Sequence, residues 1–519
     1  MNVKVKISLI LISLLACFNV NGQKKGFAYL SGHVINPKDS LVVKFSILRN
    51  QISKMSREFI DLEAPVDKDG NFTLRIAPIE QPSRIWSISI VQYSPITKKN
   101  RDMDLASDFL ISAGDNIKMG IIIPTGYAKP VVSFSGIGAA KMECQNLISS
   151  IKKDPPWDWQ NDKNNFVVKT LPFIDSVLQV QIAILNRMKD KMTAKDYGIL
   201  KLDIVGFSAE YGMFHLYQLK HPESYTLKEC QESRQAFNRM IKKYLPSNNV
   251  LIPYSNNFLD FLMYRDEAEC ALANNGKNYS LKQWYTWLKS HYNGTLREYV
   301  LAHYFLNNIR RTGGTFIPAV NANDYTYSIN DAATIVKNPT IKIKLKVWQR
   351  LGKGAPVYNF DLPLDSTSKR VRLTDLKGKV VLIDMWAYTC DPCFKFATVF
   401  HKLVYPHFKN NPQFAYVSIM AGHGRQDYMQ RLRGLDNHNR PDTTGLFTSP
   451  EYINLFGGKG EPNGKKMEDY YHVFARPFIL LVDKRGNIFS STVPFFEEAT
   501  SPNVRKLTDL IYQALAEKN

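Results

Sequence analysis

The sequence predicts an α/β C-terminal domain preceded by an N-terminal β-sandwich and a mostly α-helical middle domain. Three observations carry this reading. Residues 24 to about 135 string together short β-branched and apolar runs separated by turn signals. Residues 138 to about 335 place apolar side chains at helical spacing. Beyond residue 350 apolar strands and amphipathic stretches alternate, as in a compact α/β layout. At 519 residues the chain is too long for one ordinary domain.

The first residues read as a targeting segment. MNVKVK carries two lysines, ISLILISLLACF is an apolar run too short to span a membrane comfortably, and VNG follows before Gln23. Residues 1–22 are therefore expected to be a secretory signal peptide. Leu14-Leu15-Ala16-Cys17 also resembles a lipoprotein cleavage box, which would leave a lipid on Cys17 and tie the chain to a membrane. Either way the expected location is the periplasm or cell envelope. The formal net charge of +20 favours anionic partners. The basic residues are scattered, with no run denser than pairs such as Lys24-Lys25, so a solvated basic surface is expected and nucleic-acid binding is not.

The strands come first. FAYLSGHVI and SLVVKFSIL are separated by a turn at Asn36-Pro37-Lys38-Asp39, and VDKDGNFTLRI reads as a hairpin with Asp69-Gly70 at its turn. IWSISIVQY alternates as a half-buried strand does, and FLISAGDNIKMGIII gives two more strands around Gly114-Asp115. Regular short strands predict an antiparallel sandwich over 24–135.

Helices follow over 138–335. Leu171, Ile174, Leu178, Ile182, Leu185 and Met188 recur at helical spacing, with Thr170 placed to cap and Pro172 in the first turn. SLKQWYTWLKSHY and LREYVLAHYFLNNIRR are amphipathic in the same way. Residues 336–355 lead into the last domain, expected over 350–519. There FDLPL and RVRLTDL suggest a small hairpin and KVVLIDMW a central strand. A helix is expected after it, then the strand QFAYVSIM, then a strand–turn–strand in PFILLVDKRGNIFSSTV. A terminal helix capped by Ser501 closes the chain. GGKGEPNGKK reads as a polar loop.

The chemistry lies in WAYTCDPC, residues 386 to 393. A strand ending at Trp386 delivers Cys390 to a helix N-terminus, where free amide N–H groups and the helix dipole favour a thiolate. Cys393 follows one turn later on the same face. Pro392 sits in the first turn, where a missing N–H costs nothing. A structural zinc site wants four ligands, yet no second C-x-x-C or spaced His pair exists, and His401, His407 and His423 lack the spacing. A peroxidatic cysteine is excluded too, because Ala387 stands three before Cys390. The pair reads as a redox couple needing no metal or bound cofactor. Cys144, Cys230 and Cys270 are expected to be inert thiols, and the sequence leaves open whether Cys230 and Cys270 pair.

LTDLKGKVVLIDMWAYTCDPC followed by ARPFILLVDKRGNI resembles the thioredoxin-like domain of the TlpA/ResA-type thiol–disulfide oxidoreductases. The resemblance covers about residues 350 to 519. The chain also looks like the longer envelope members, with a β domain and a helical middle. The resemblance implies a thioredoxin-like C-terminal fold and disulfide exchange with envelope proteins, fed by an upstream redox donor. It makes Cys390 the nucleophile and Cys393 the resolving thiol. Trp386 would pack beside the disulfide, Asp384 would relay a proton for Cys393, and Pro477 would be a cis-proline facing the pair.

Several positions depart from the family. Thr389 stands where a Trp is usual, Phe396 where cytochrome-maturation reductases carry a glutamate, and Thr398 where thioredoxins have a helix-kinking proline. Arg476 takes a slot more often filled by Thr or Val. Asp391 would disfavour the Cys390 thiolate and Arg476 would favour it, so the direction of electron flow stays open. A second class of function is a binding or assembly protein whose thioredoxin-like domain is only a docking platform.

Overall fold

The computed structural model describes residues 26–517 apart from 36–39, 49–58, 80, 95–98, 125–129, 152–165, 219–225, 246–249, 275–278, 309–321, 365–368, 436–448, 450 and 474–475. The expected signal peptide, Cys17 and the Asn36–Asp39 turn lie outside the described residues. The chain divides into two compact units, Met1–Gly212 with Ala236–Phe258, and Met213–Gln235 with Leu259–Asn519.

The first unit opens with eight strands: β1 (Gly26–Ile35), β2 (Ser40–Leu48), β3 (Phe59–Pro65), β4 (Asn71–Ile79), β5 (Ser83–Ser94), β6 (Lys99–Ile111), β7 (Asn116–Ile122) and β8 (Val131–Ile137). They form two four-stranded sheets, ordered β4-β1-β7-β8 and β3-β2-β5-β6. Alternate residues of both sheets meet in one core. Ala28, Leu30, Val34, Ile117 and Ile121 come from the first sheet, and Val43, Phe45, Ile85 and Ile88 from the second. This is sandwich packing.

Two local expectations are corrected. The sheet is not wholly antiparallel, because β1 and β7 pair in parallel. VDKDGNFTLRI is not a hairpin either, because β3 pairs with β2 while β4 pairs with β1 in the other sheet. The turn itself is as the residues dictate. Gly70 adopts φ +84°, and the Asp67 carboxylate accepts from the N–H groups of Asp69 and Asn71. Turn chemistry reverses the chain. It does not choose the partner strand, which is decided by where each apolar face can be buried.

Helix α1 (Ala139–Ser149) brings Lys141 into the interior of this unit, where its ammonium lies 2.7 Å from Asp115 and 3.3 Å from Asp196. Nearby, a π turn (Phe166–Thr170) runs directly into α2 (Leu171–Arg187). Thr170 is therefore already helical and makes no side-chain cap, contrary to expectation. By length and composition, Phe166–Arg187 is apolar enough to cross a membrane. Its Leu171, Ile174, Leu178 and Leu185 are buried in the protein.

The remaining helices of the middle region are α3 (Ala194–Gln218), α4 (Leu227–Lys242), α5 (Asn256–Ala273), α6 (Leu281–His291), α7 (Gly294–Asn308), α8 (Ala322–Ile335) and α9 (Pro339–Gln349). Ser280 and Gln283 close a capping box on α6. Asn338 caps α9, so the segment leading into the last domain is itself helical.

Beyond it lie a small hairpin, β9 (Asp361–Pro363) with β10 (Arg370–Arg372), and then β11 (Val380–Trp386), helix α10 (Asp391–Val399), β12 (Phe414–Met420) and α11 (Arg425–Leu432). β13 (Ile453–Phe456), α12 (Pro462–Tyr471), β14 (Phe478–Val482), β15 (Ile488–Ser490) and α13 (Pro502–Ala516) complete the chain. The sheet order is β13-β12-β11-β14-β15, with β11, β12 and β13 parallel and β14 and β15 antiparallel to their neighbours. All seven residues of β11 are buried, as a central strand covered on both faces requires. GGKGEPNGKK is only partly a loop, because Glu461 caps α12 and Pro462 opens it.

Candidate active site

Strand β11 ends at Trp386, and Cys390 is the N-cap of α10. The backbone N–H of Cys393 donates to Sγ of Cys390 at 3.2 Å, so the sulfur occupies the place a capping oxygen would take. Pro392 lies in the first turn, where no intrahelical acceptor awaits its nitrogen. Cys390 and Cys393 are joined by a disulfide with Cα atoms 5.3 Å apart. Cys390 is partly exposed and Cys393 is fully buried. Thr389, Asp391 and Pro392 form an exposed rim around the partly open sulfur.

Behind the pair the site is aromatic. Trp386, Tyr388, Cys393, Ala397, Met420, Tyr428 and Phe456 form one buried cluster, with Cys390 and Phe394 packed against it. Trp386 thus lies beside the disulfide, held by an indole N–H donated to the Ser418 hydroxyl at 2.8 Å. The Arg431 guanidinium lies over the rings of both Tyr388 and Phe394, 4.8 and 4.5 Å from their centroids. Helix α11, inserted between β12 and β13, delivers it.

Asp384 is wholly buried on β11. Oδ2 accepts a 2.8 Å hydrogen bond from the Tyr416 phenol, and Oδ1 has no hydrogen-bond partner among the described residues. Burial pushes its carboxyl up to about 7, against the smaller opposing pull of the Tyr416 bond. Such a group exchanges protons near neutral pH, as a proton carrier must.

The Arg476–Pro477 peptide bond is cis and Pro477 is buried. Arg476 forms an ion pair with Glu468 of α12, and Asp391 pairs with Lys395 at 3.0 Å, one turn along α10. The two charges expected to pull the Cys390 thiol in opposite directions are therefore each compensated locally. Phe396 stacks with Phe400 and Phe495 and packs tilted against Phe496 in the core below the site. Thr398 bonds back to the Phe394 carbonyl at 2.9 Å, just before the helix widens into a π turn, Phe400–Val404.

Cys144, Cys230 and Cys270 take part in no disulfide among the described residues, and burial pushes Cys144 up to about 11. Among the described residues no group of three His, Cys, Asp or Glu side chains is placed to hold a metal ion. Sequence reasoning did not single out Tyr416, Ser418, Arg431 or Glu468. The first two carried a signal. They are polar residues two apart in an otherwise apolar strand, and the register sets Ser418 opposite Asp384.

No family model matches the chain. The chain is 29% identical over 151 residues to the thiol-disulfide oxidoreductase ResA of Bacillus thuringiensis, covering 28% of this chain and 72% of that protein. It is 38% identical over 63 residues to the thiol-disulfide oxidoreductase ResA of Bacillus subtilis, covering 12% and 34%. Among solved structures, the thioredoxin domain of a thiol-disulfide oxidoreductase from Bacteroides vulgatus matches 31% of this chain and 97% of its own, at 20% identity and a TM-score of 0.24.

Proposed function

We propose that this chain is an exported thiol–disulfide oxidoreductase of the cell envelope, working through its Cys-Asp-Pro-Cys pair in a thioredoxin-like C-terminal domain. The observation that carries the reading is the placement of the two sulfurs. Cys390 caps a helix, accepts the Cys393 N–H and reaches solvent, while Cys393 is buried beneath it. A thiolate on Cys390 is stabilised there by the helix terminus. It attacks one sulfur of a substrate disulfide, forming a mixed disulfide and releasing the first substrate thiolate. Cys393, its proton passed to Asp384, then attacks Cys390 Sγ. The Cys390–Cys393 bond closes, the second substrate thiolate leaves, and two electrons have moved to the substrate. An upstream dithiol donor of the envelope restores the pair. Trp386 walls the disulfide, Pro477 and Arg476 form the opposite side of the docking face, and Thr389, Asp391 and Pro392 its rim.

The same reading takes residues 24–135, 138–335 and 350–519 as three domains behind a signal peptide, 1–22. The partners are thiol- or disulfide-bearing envelope proteins. The mature chain begins at Gln23, or at Cys17 if that residue carries a lipid, and intact mass of protein from the envelope distinguishes the two. The deciding experiment is reduction of a model protein disulfide by the full chain and by a Cys390→Ser variant. Turnover by the former alone supports the reading, and equal rates overturn it in favour of a docking platform.

A further inference from the structure

If Asp384 carries a proton for Cys393, that proton must reach solvent, yet Asp384 is enclosed on all sides. Among the described residues a chain of polar groups leads outward from it. Tyr416 donates to Asp384 at 2.8 Å. Tyr452, ahead of β13, meets Tyr416 edge to face with ring centroids 4.6 Å apart. The Tyr452 hydroxyl lies 2.5 Å from Nδ1 of His401, whose ring is only partly buried. His401 stands on the π turn Phe400–Val404. Phe400, on the same turn, stacks on Tyr416 at 4.6 Å, and Tyr405 packs perpendicular to Tyr452 at 4.9 Å. Three polar rings thus run from the buried carboxyl to a partly exposed imidazole, packed between Phe400 and Tyr405.

We propose that Tyr416, Tyr452 and His401 form a proton path between Asp384 and solvent. The inference rests on the redox reading of the site, and it deepens that reading by assigning the exit route. On the way out, protonated Asp384 gives its proton to the Tyr416 oxygen while Tyr416 gives its own to Tyr452. Tyr452 in turn protonates Nδ1 of His401, and the imidazolium releases the proton from Nε2 to water. Charge and atoms balance at each hop, and no electrons move. The step between the two phenols is closed by a small turn of one ring or by one bridging water. Burial holds both phenols far above their ordinary range, so a free tyrosinate is not an intermediate and the hops are concerted. Burial holds His401 below its usual value, so the ring is mostly neutral near pH 7 and able to accept. Glu451 pulls it up, Lys409 and Lys402 push it down, and Tyr405 and Tyr452 complete its surroundings.

The test follows Asp384 directly and needs no disulfide substrate. The full chain is taken through a rapid pH jump across the point near 7 where Asp384 titrates, and its carboxyl infrared band is followed in time. An Asp384→Asn variant assigns the band. Tyr452→Phe, which removes one hydroxyl from the buried ring, is expected to slow the band's response about tenfold or more. His401→Gln, at a partly exposed ring, is expected to do the same, and added imidazole to restore the rate. A merely structural role for His401 would give no such rescue. Response rates in both variants equal to the parent overturn the path. Disulfide turnover by the parent is measured separately, so a chain that exchanges disulfides with no Tyr452 effect refutes the path alone.

Discussion

The phenol of Tyr416 donates a 2.8 Å hydrogen bond to a carboxylate, Asp384, that has no cation beside it among the described residues. Two adjacent parallel strands, β11 and β12, bring them together with Leu382 opposite Tyr416 and Asp384 opposite Ser418. One hydrogen bond does not offset the cost of burying a carboxylate, so the acid is held largely in its neutral form until about pH 7.

Asp384→Asn should stabilise the protein in alkaline solution. The folded-state value is raised from 3.8 to about 7, so the folded state binds the extra proton, and the stability contribution falls as pH rises through that interval. A rise of that size corresponds to about 4 kcal/mol at about pH 8. Denaturant midpoints of parent and variant should agree near pH 4 and separate as pH increases. A gap that stays constant with pH would refute the assignment. The same variant should slow the resolving step.

Cys393→Ser should trap partners. Attack by Cys390 is left intact while its release is blocked, so mixed disulfides accumulate that vanish on reduction. Protein isolated from cells carrying the variant, run with and without reductant, gives the answer. Adducts on Cys390→Ser instead would reverse the two roles.

Glu468→Gln should cost about 1–3 kcal/mol, less than breaking a fully buried pair, because both partners are partly shielded from water. It leaves the Arg476 guanidinium uncompensated in a position where burial already holds it below its ordinary value. Chemical denaturation of the single variant and of Glu468→Gln with Arg476→Met checks this. The double variant should recover part of the loss.

Lys141→Met should destabilise the first unit by about 3–5 kcal/mol near pH 7. It strands Asp115 and Asp196 together in the interior. Burial already raises the Asp115 carboxyl and the ammonium opposes this, so the loss should be smaller at about pH 5 than at about pH 7. Thermal unfolding at the two pH values reads the difference, and a pH-independent loss would point to packing alone.

Much of this was legible locally. The strand KVVLIDMW is buried along its length because it is apolar along its length. Cys390 and Pro392 mark a helix start because each suits an unsatisfied N-terminus. Spacing alone put the two sulfurs one turn apart. Asp67, Asp69 and Gly70 also specified their turn, since an Asx-type bond and a positive φ are encoded within a few residues.

What only the tertiary structure decided depends on partners distant in sequence. The Asp67–Gly70 turn could not say that β3 and β4 belong to different sheets, since strand pairing follows from which faces bury together. The motif could not reveal that Arg476 is matched by Glu468, which lies two residues beyond the stretch GGKGEPNGKK that the sequence presented as a polar loop. Nor could it reveal that Asp384 leans on Tyr416, 32 residues away, because a buried carboxyl takes its proton affinity from whatever the fold brings against it. Sequence by itself determined the reactive pair and the helix that presents it. The fold determined the electrostatic surroundings, because burial and charge act through space rather than along the chain.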